Sequence, residues 1–322
     1  VATNPSKNLD DGCPQGLGYT AGVPPAIHGK MTRLPDFIIV GAGKSGTSSL
    51  QGYLQQHPQI YLCPKKETFY FLNERVRTNS AKWGAVQTLE EYRELFAVAQ
   101  SDQVVGEIST TYYADPKSAR LIHGLLPDVK ILAILRNPID RAFSDYQMHV
   151  NNGSEKRTFA EVVGLDIKYI NCGFYHQQLQ HYYEVFPPEQ IKVLLYDDYC
   201  QDAQAFLQSI FDFIGVDSQF VADTSTRARV GGVPKRQWVR QLLAEKNPLR
   251  TLAASLLKLF MPLEARQKIR SQLLKKNTVR TQLDEVSFQR LATLYQDDVN
   301  QLQTLLDRNL SHWLQPRKST SA

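Results

Sequence analysis

Residues 36–50, Asp36-Phe37-Ile38-Ile39-Val40-Gly41-Ala42-Gly43-Lys44-Ser45-Gly46-Thr47-Ser48-Ser49-Leu50, join an apolar run to a glycine-rich turn and a helix start. Glycines let successive backbone N–H groups point into one concavity, and the helix adds the N–H groups its first turn leaves unpaired. Lys44 and the hydroxyls of Ser45, Thr47 and Ser48 supply further donors. Such a stretch cradles an anion, and a phosphate or sulfate group is the ligand its donors fit.

Three templates compete for the loop. The triphosphate-binding pattern needs Gly, four residues, then Gly-Lys-Ser/Thr; Gly43-Lys44-Ser45 fits the end, but the first position falls on Ile38, so it fails. The dinucleotide pattern G-x-G-x-x-G is met by Gly41, Gly43 and Gly46, with Glu67 about twenty residues on as a ribose-binding acid. That pattern stays open on the loop alone. The third is a phosphosulfate loop: residues 43–50 resemble the Lys-Ser/Gly-Gly-Thr-Thr/Ser-Ser/Ala-Leu signature of sulfotransferases that use 3′-phosphoadenosine 5′-phosphosulfate (PAPS).

A second motif decides. Residues 130–135 read as a buried parallel strand, Asn137 as a helix N-cap and Pro138 as the first helical residue. Arg136 then sits at the carboxyl end of a strand, while Arg141 and Ser144 share a helix face. Taken singly, Arg136 and Arg141 read as surface ion-pair residues, Arg141 with Asp145 one turn on. Arg136 and Ser144 are similar to the Arg and Ser that grip the 3′-phosphate in the same sulfotransferases. With both motifs in order, each on a strand-to-helix turn, the chain is identified as a member of the PAPS-dependent sulfotransferases, of the bacterial and carbohydrate type distantly similar to heparan sulfate sulfotransferases.

The resemblance implies a P-loop nucleotide-kinase-like α/β fold, a parallel central sheet flanked by helices with a helical C-terminal region. It implies PAPS as donor, the 3′,5′-bisphosphate PAP as product, and no metal. The expected chemistry is in-line sulfuryl transfer to a hydroxyl of a sugar or small metabolite, with the protein supplying position and charge. Lys44 is expected on the leaving phosphate oxygen, with Gly43, Ser45, Gly46, Thr47 and Ser48 holding the phosphosulfate. For the general base Glu67 is preferred, because Lys66-Glu67-Thr68-Phe69 is similar to the segment carrying the catalytic Glu in heparan-type enzymes; His149 and His123 are its rivals. The competing reading makes Lys65, Lys66 and Glu67 a solvated charge cluster.

Tyr175, in Cys172-Gly173-Phe174-Tyr175, is expected near the donor or as a core aromatic. Gly232, Lys235 and Arg236, in the late loop 229–236, are expected to close over the 3′-phosphate. One departure stands out. Residues 106–112 look like the Gly-Glu-Lys-Ser/Thr-Pro-x-Tyr segment of polysaccharide sulfotransferases, but Ile108 replaces the Lys and Thr110 the Pro. The missing cation argues against a highly anionic glycosaminoglycan acceptor and for a less charged alcohol.

The elements that must position these groups follow from periodicity: strands at 37–40, 60–62, 104–107, 130–135 and 191–196, with helices at 47–57, 88–96, 117–126, from 138 through His149, and 173–186. Residues 1–35 read as an N-terminal arm or linker, 36–236 as the donor-binding core and 237–322 as a helical C-terminal region of the same domain. A chain of 322 residues with 42% hydrophobic and 21% charged residues suits one large α/β domain. Its net charge of +5 fits an anionic nucleotide better than a nucleic acid. The scattered Cys13, Cys63, Cys172 and Cys200 imply reduced, buried thiols and no metal.

With no long apolar run and no leader pattern, the expected location is the cytoplasm, a lumenal domain cut from its anchor being the alternative. The first residue is Val and not Met, as in a piece of a longer protein. Residues 245–280 carry nine Lys/Arg against two acids, so an acidic carrier protein bearing a β-hydroxyacyl chain, as in a polyketide-type multienzyme, is a second acceptor. A nicotinamide oxidoreductase and a non-catalytic nucleotide-binding module are the readings of another class.

Overall fold

The structure, a computed structural model, describes residues 33–165, 168–225, 233–234, 278–279 and 283–316. In chain order the elements are β1 (Phe37–Gly41), α1 (Thr47–Leu54), β2 (Ile60–Leu62), α2 (Glu74–Asn79), α3 (Leu89–Glu94), β3 (Val104–Ile108), α4 (Ser118–Leu125), β4 (Lys130–Leu135), α5 (Pro138–Asn152), α6 (Phe159–Leu165) and α7 (Lys168–Asn171). They continue with α8 (Tyr175–Tyr183), β5 (Ile191–Leu195), α9 (Tyr196–Gln201), α10 (Ala203–Ile214), β6 (Val233–Pro234), β7 (Thr278–Val279) and α11 (Glu285–Leu306).

An apolar run such as Phe37-Ile38-Ile39-Val40 forms a stable strand only where both its faces are covered. In β1, Ile38 and Val40 enter a core shared with α5, α8 and α11, while Phe37 and Ile39 enter a second core shared with α1 and α10. β4 divides its side chains the same way, Ile131, Ala133 and Leu135 on one face and Leu132 and Ile134 on the other. The sheet is parallel throughout, in the order β2-β3-β1-β4-β5. This is the expected α/β class with helices on both faces.

The order also removes the dinucleotide reading. In a dinucleotide-binding sheet the second strand adjoins the first, whereas here β3 lies beside β1 and β2 sits at the edge. The chain leaves β1 for one side of the sheet and returns to the other at β4. The crevice at this switch point, outside the carboxyl ends of β1 and β4, is where such sheets bind ligands.

The C-terminal region is helical over α11 and adds one short strand, β7, which pairs antiparallel with β6; a two-residue ladder is set by a distant partner and leaves no periodicity to read. One expectation needs correction: the thiols are not uniformly buried, since Cys63 is, Cys172 is half-buried and Cys200 is exposed. Helix α2 has no counterpart in the expected elements, and its signal is the side chain of Asn73, which accepts from Val76 N at 3.1 Å. Among the described residues no helix is long and apolar enough to cross a membrane.

The segment around Trp313 is bound to the carboxyl end of the sheet. Trp313, fully buried, donates from Nε1 to Asp197 Oδ2 at 2.6 Å, and its carbonyl accepts from Asn137 Nδ2 at 2.8 Å. Asn137 in turn caps α5 through Ile139 N and Asp140 N. Trp313→Ala is expected to cost about 3–5 kcal/mol in urea unfolding followed by circular dichroism, and a loss below 1 kcal/mol would show that this anchor is dispensable.

Candidate active site

Between β1 and α1 the loop is pulled against β4. Ala42 N donates to the Ile134 carbonyl at 2.8 Å, and the Lys44 carbonyl accepts from Arg136 Nη1 at 3.2 Å. The two motifs of the sequence are therefore one structure. The Arg136 guanidinium lies over the Tyr196 ring, 5.1 Å from its centroid. Gly46, in the left-handed conformation at φ 84°, caps α1 directly against that ring: a Cβ here would lie 2.8 Å from Tyr196 Cε2. Ser45, 2% exposed, has its Oγ buried with no hydrogen-bond partner, and Arg136 Nε is likewise unpaired. Buried orphans of this kind mark a place where a polar ligand completes the bonding.

Lys44 itself is a left-handed non-glycine residue, φ 73°, a conformation that costs roughly 1–3 kcal/mol. Its Nζ contacts Met148 Sδ at 3.4 Å, a weak acceptor. Burial lowers its pKa; Asp145 opposes that shift, while Arg141 and Arg136 add to it. On α5, Asp140, Ser144 and Met148 recur every four residues and so share one stripe. Arg136 reaches Asp140 at 3.9 Å and Lys44 reaches Met148, which places Ser144 between the two contacts. Arg141 is a different case. It is 2% exposed, bonded to Asp145 Oδ2 at 3.3 Å and to the Tyr169 carbonyl, and so holds α7 against α5 inside the fold.

The far wall is the irregular segment after β2. Glu67 and Phe69 are both left-handed, at φ 61° and 60°, which turns successive side chains in different directions. Lys66 reaches back to α1, its Nζ donating to Ser48 Oγ at 2.9 Å and Thr47 Oγ1 at 3.2 Å. Glu67 turns to the loop after β3. Its Oε1 accepts from Thr110 N at 3.0 Å and Thr110 Oγ1 at 2.6 Å, its Oε2 from Thr111 N at 3.2 Å and Thr111 Oγ1 at 3.0 Å. Thr68 points into the core and donates to Glu107 Oε1 at 2.6 Å.

Glu107 is completely buried. Oε1 also accepts from Ser109 Oγ at 2.7 Å and Tyr112 OH at 2.8 Å, and Oε2 accepts from the Tyr92 hydroxyl. Burial raises its pKa above the ordinary carboxylate value, while the four hydroxyl bonds pull the other way. Ser109 Oγ in turn accepts from Thr68 N at 3.0 Å. One carboxylate thus fixes both the segment that presents Lys66 and Glu67 and the turn that receives Glu67.

The remaining expected residues divide. His149 is buried on α5 with Nδ1 3.0 Å from the Asp145 carbonyl and its ring edge-on to Tyr169. His123 packs edge-on against Phe186 on α4, which leads into the start of β4, the end of the strand away from the loop. Tyr175 is fully buried against Trp313, its hydroxyl unpaired and its carbonyl accepting from Tyr113 OH at 3.0 Å. Gly232, Lys235 and Arg236 lie outside the described residues. Lys66, Tyr196 and Glu107 are site residues the sequence reading did not assign. Only the run Lys65-Lys66-Glu67 signals one of them, with a solvated charge cluster as the competing reading.

The model of the sulfotransferase domain matches residues 34–246, two thirds of the chain and all of the cleft residues just described except Trp313. The chain belongs to the sulfotransferase domain family. The sulfotransferase of Alicyclobacillus acidocaldarius, a solved structure, is 27% identical and superposes with a TM-score of 0.66 over 88% of this chain and 100% of that one. The membrane-associated sulfotransferase kil1 of Dictyostelium discoideum is 35% identical over 124 residues, 38% of this chain and 25% of that protein. Human heparan sulfate glucosamine 3-O-sulfotransferase 6 is 25% identical over 203 residues, 61% of this chain and 56% of that protein. The chain thus spans between a quarter and just over half of the length of these two curated relatives.

Two outcomes follow for this sulfotransferase domain. Because Lys44 has a lowered pKa in the folded chain, its charge opposes folding below that pKa, and stability rises with pH between it and the ordinary 10.5. Lys44→Met is expected to unfold at a urea midpoint no lower than wild type at pH 7, with the gap closing toward pH 10; a lower midpoint at pH 7 would show that the ammonium stabilises the fold. Glu107→Ala, which strands four hydroxyl donors, is expected to cost about 3–5 kcal/mol and Glu107→Gln clearly less, both read by urea denaturation; equal losses would deny the carboxylate its organising part.

Proposed function

We propose that this chain transfers a sulfuryl group from PAPS to the hydroxyl of a sugar or small metabolite. The observation that carries the reading is the bond between Arg136 and the Lys44 carbonyl, which joins the phosphosulfate loop and the 3′-phosphate turn into one cleft at the sheet's switch point. The residues fit the donor: Ser45 Oγ and Arg136 Nε are buried donors awaiting a partner, and Gly46 lets the chain turn into α1 where a side chain would strike Tyr196. Gly43, Lys44, Ser45, Gly46, Thr47 and Ser48 hold the 5′ end; Arg136 and Ser144 hold the 3′-phosphate.

When bound, the donor supplies a sulfuryl group already activated by its phosphate leaving group. Lys44 Nζ, under-bonded against a thioether, offers its charge to the oxygen on which negative charge develops. Glu67 takes the acceptor's proton. Its four acceptor positions are filled by Thr110 and Thr111, so the Thr110 or Thr111 hydroxyl turns aside to admit the incoming O–H. His149, enclosed by Asp145 and Tyr169, orders the base of α5 instead of meeting the acceptor. Ile108, where polysaccharide enzymes carry Lys, is buried with Phe37, Ile39 and Leu50, which supports a less anionic acceptor than a glycosaminoglycan.

A screen with radiolabelled PAPS tests this reading against neutral oligosaccharides, small alcohols and phenols, heparan fragments and β-hydroxyacyl carrier proteins. Label is expected on an uncharged or weakly charged hydroxyl; transfer to none of them would overturn the activity, and transfer to heparan fragments alone would overturn the acceptor class. With the acceptor found, Glu67→Gln is expected to lower kcat by about 10²–10⁴-fold, and full activity in that variant would remove Glu67 from the reaction.

A further inference from the structure

The ammonium of Lys66 is an anomaly as a surface charge. It lies against the first turn of α1, bonded to the neutral hydroxyls of Thr47 and Ser48 at 3.2 and 2.9 Å. Among the described residues no carboxylate pairs with it, because the adjacent Glu67 is turned away and saturated by Thr110 and Thr111. Burial lowers its pKa, Glu67 opposes that, and Lys44 adds to it. Lys44 is thus near enough for its charge to be felt at Lys66, and the loop that carries Lys44 also holds a Ser45 Oγ that is buried and unpaired and an N-cap, Gly46, with no side chain to satisfy the helix start. Two like charges beside unsatisfied donors fit an anion that both can reach.

Resting on the donor reading above, we infer that Lys66 is a second cation on the 5′-phosphosulfate of the donor, gripping it from the β2 side while Lys44 grips it from the β1 side. Lys66 and the Thr47 and Ser48 hydroxyls act as one unit. The ammonium holds both hydroxyls aimed at the helix start, and all three present donors to the same oxygens. Nothing in this arrangement touches the 3′-phosphate, which belongs to Arg136 and Ser144 on the other side of Lys44. Lys66 should thus discriminate nucleotides by their 5′ end alone.

Calorimetric titration with two probes tests the assignment: 3′,5′-ADP, which has a 5′-phosphate, and adenosine 3′-monophosphate, which lacks it. Lys66→Met is expected to weaken 3′,5′-ADP by about 10- to 100-fold, as for a charge-assisted hydrogen bond, and to leave adenosine 3′-monophosphate within about threefold. Lys66→Arg should recover part of the loss, and it serves as the test variant if Lys66→Met does not fold, with a smaller loss confined to 3′,5′-ADP. An unchanged affinity for 3′,5′-ADP overturns the inference. Equal losses for both probes overturn it too, since they mark a general disturbance of the cleft. A wild-type chain that binds neither probe overturns the donor reading itself, and this assignment with it.

Discussion

A single buried carboxylate organises one whole side of the cleft. Glu107 has no access to water, so its carboxyl group can be buried only because the hydroxyls of Thr68, Tyr92, Ser109 and Tyr112 converge on it. These four come from four separate stretches of chain: the segment after β2, α3, the end of β3 and the turn that follows it. Tying them to one point fixes the path of residues 66–69, and with it two left-handed non-glycine residues, Glu67 and Phe69. Such conformations persist only where the surroundings over-determine them. Lys66 and Glu67 reach opposite walls of the cleft for this reason.

The side of the cleft formed by the loop after β1 is held by a different device. Here the backbone is the scaffold: β1 and β4 are buried on both faces, and the loop between β1 and α1 is stitched to β4 through Ala42 N and through Arg136. Arg136 is itself braced by Tyr196 beneath and by the α5 cap at Asn137, which the C-terminal Trp313 secures. An anion site made of donors and cations is unstable without its ligand, because the charges repel and the orphaned hydroxyls go unbonded. The sheet supplies the rigidity that keeps them converged.

Much of this was legible in the residues, and the boundary is physical. The strands at 37–41, 60–62, 104–108, 130–135 and 191–195 announce themselves by mostly apolar runs, interrupted at Gly106-Glu107 and Lys192, and the Asn137-Pro138 cap by its local chemistry. The loop reads because glycine, lysine and hydroxyls sit within eight residues of one another. What did not read depends on partners far apart in the chain. Lys66 looks like one member of a charge cluster until α1 is folded against it, Glu107 looks like part of a strand until three other segments bring hydroxyls to it, and β6 and β7 have no pattern apart from each other. The literal dinucleotide pattern was legible and misleading, since three glycines fit the spacing while the strand order excludes it.

The central claim is that one cleft at the switch point holds a nucleotide by both of its phosphates, the 5′ end on residues 43–48 and the 3′ end on Arg136 and Ser144. A crystal structure of the chain grown with 3′,5′-ADP tests it most directly. The account predicts the 5′-phosphate over the start of α1, within hydrogen-bond reach of Ser45 Oγ and Lys44 Nζ, and the 3′-phosphate against the Arg136 guanidinium. A nucleotide bound in the reverse sense, or at any other place on the sheet, would contradict it.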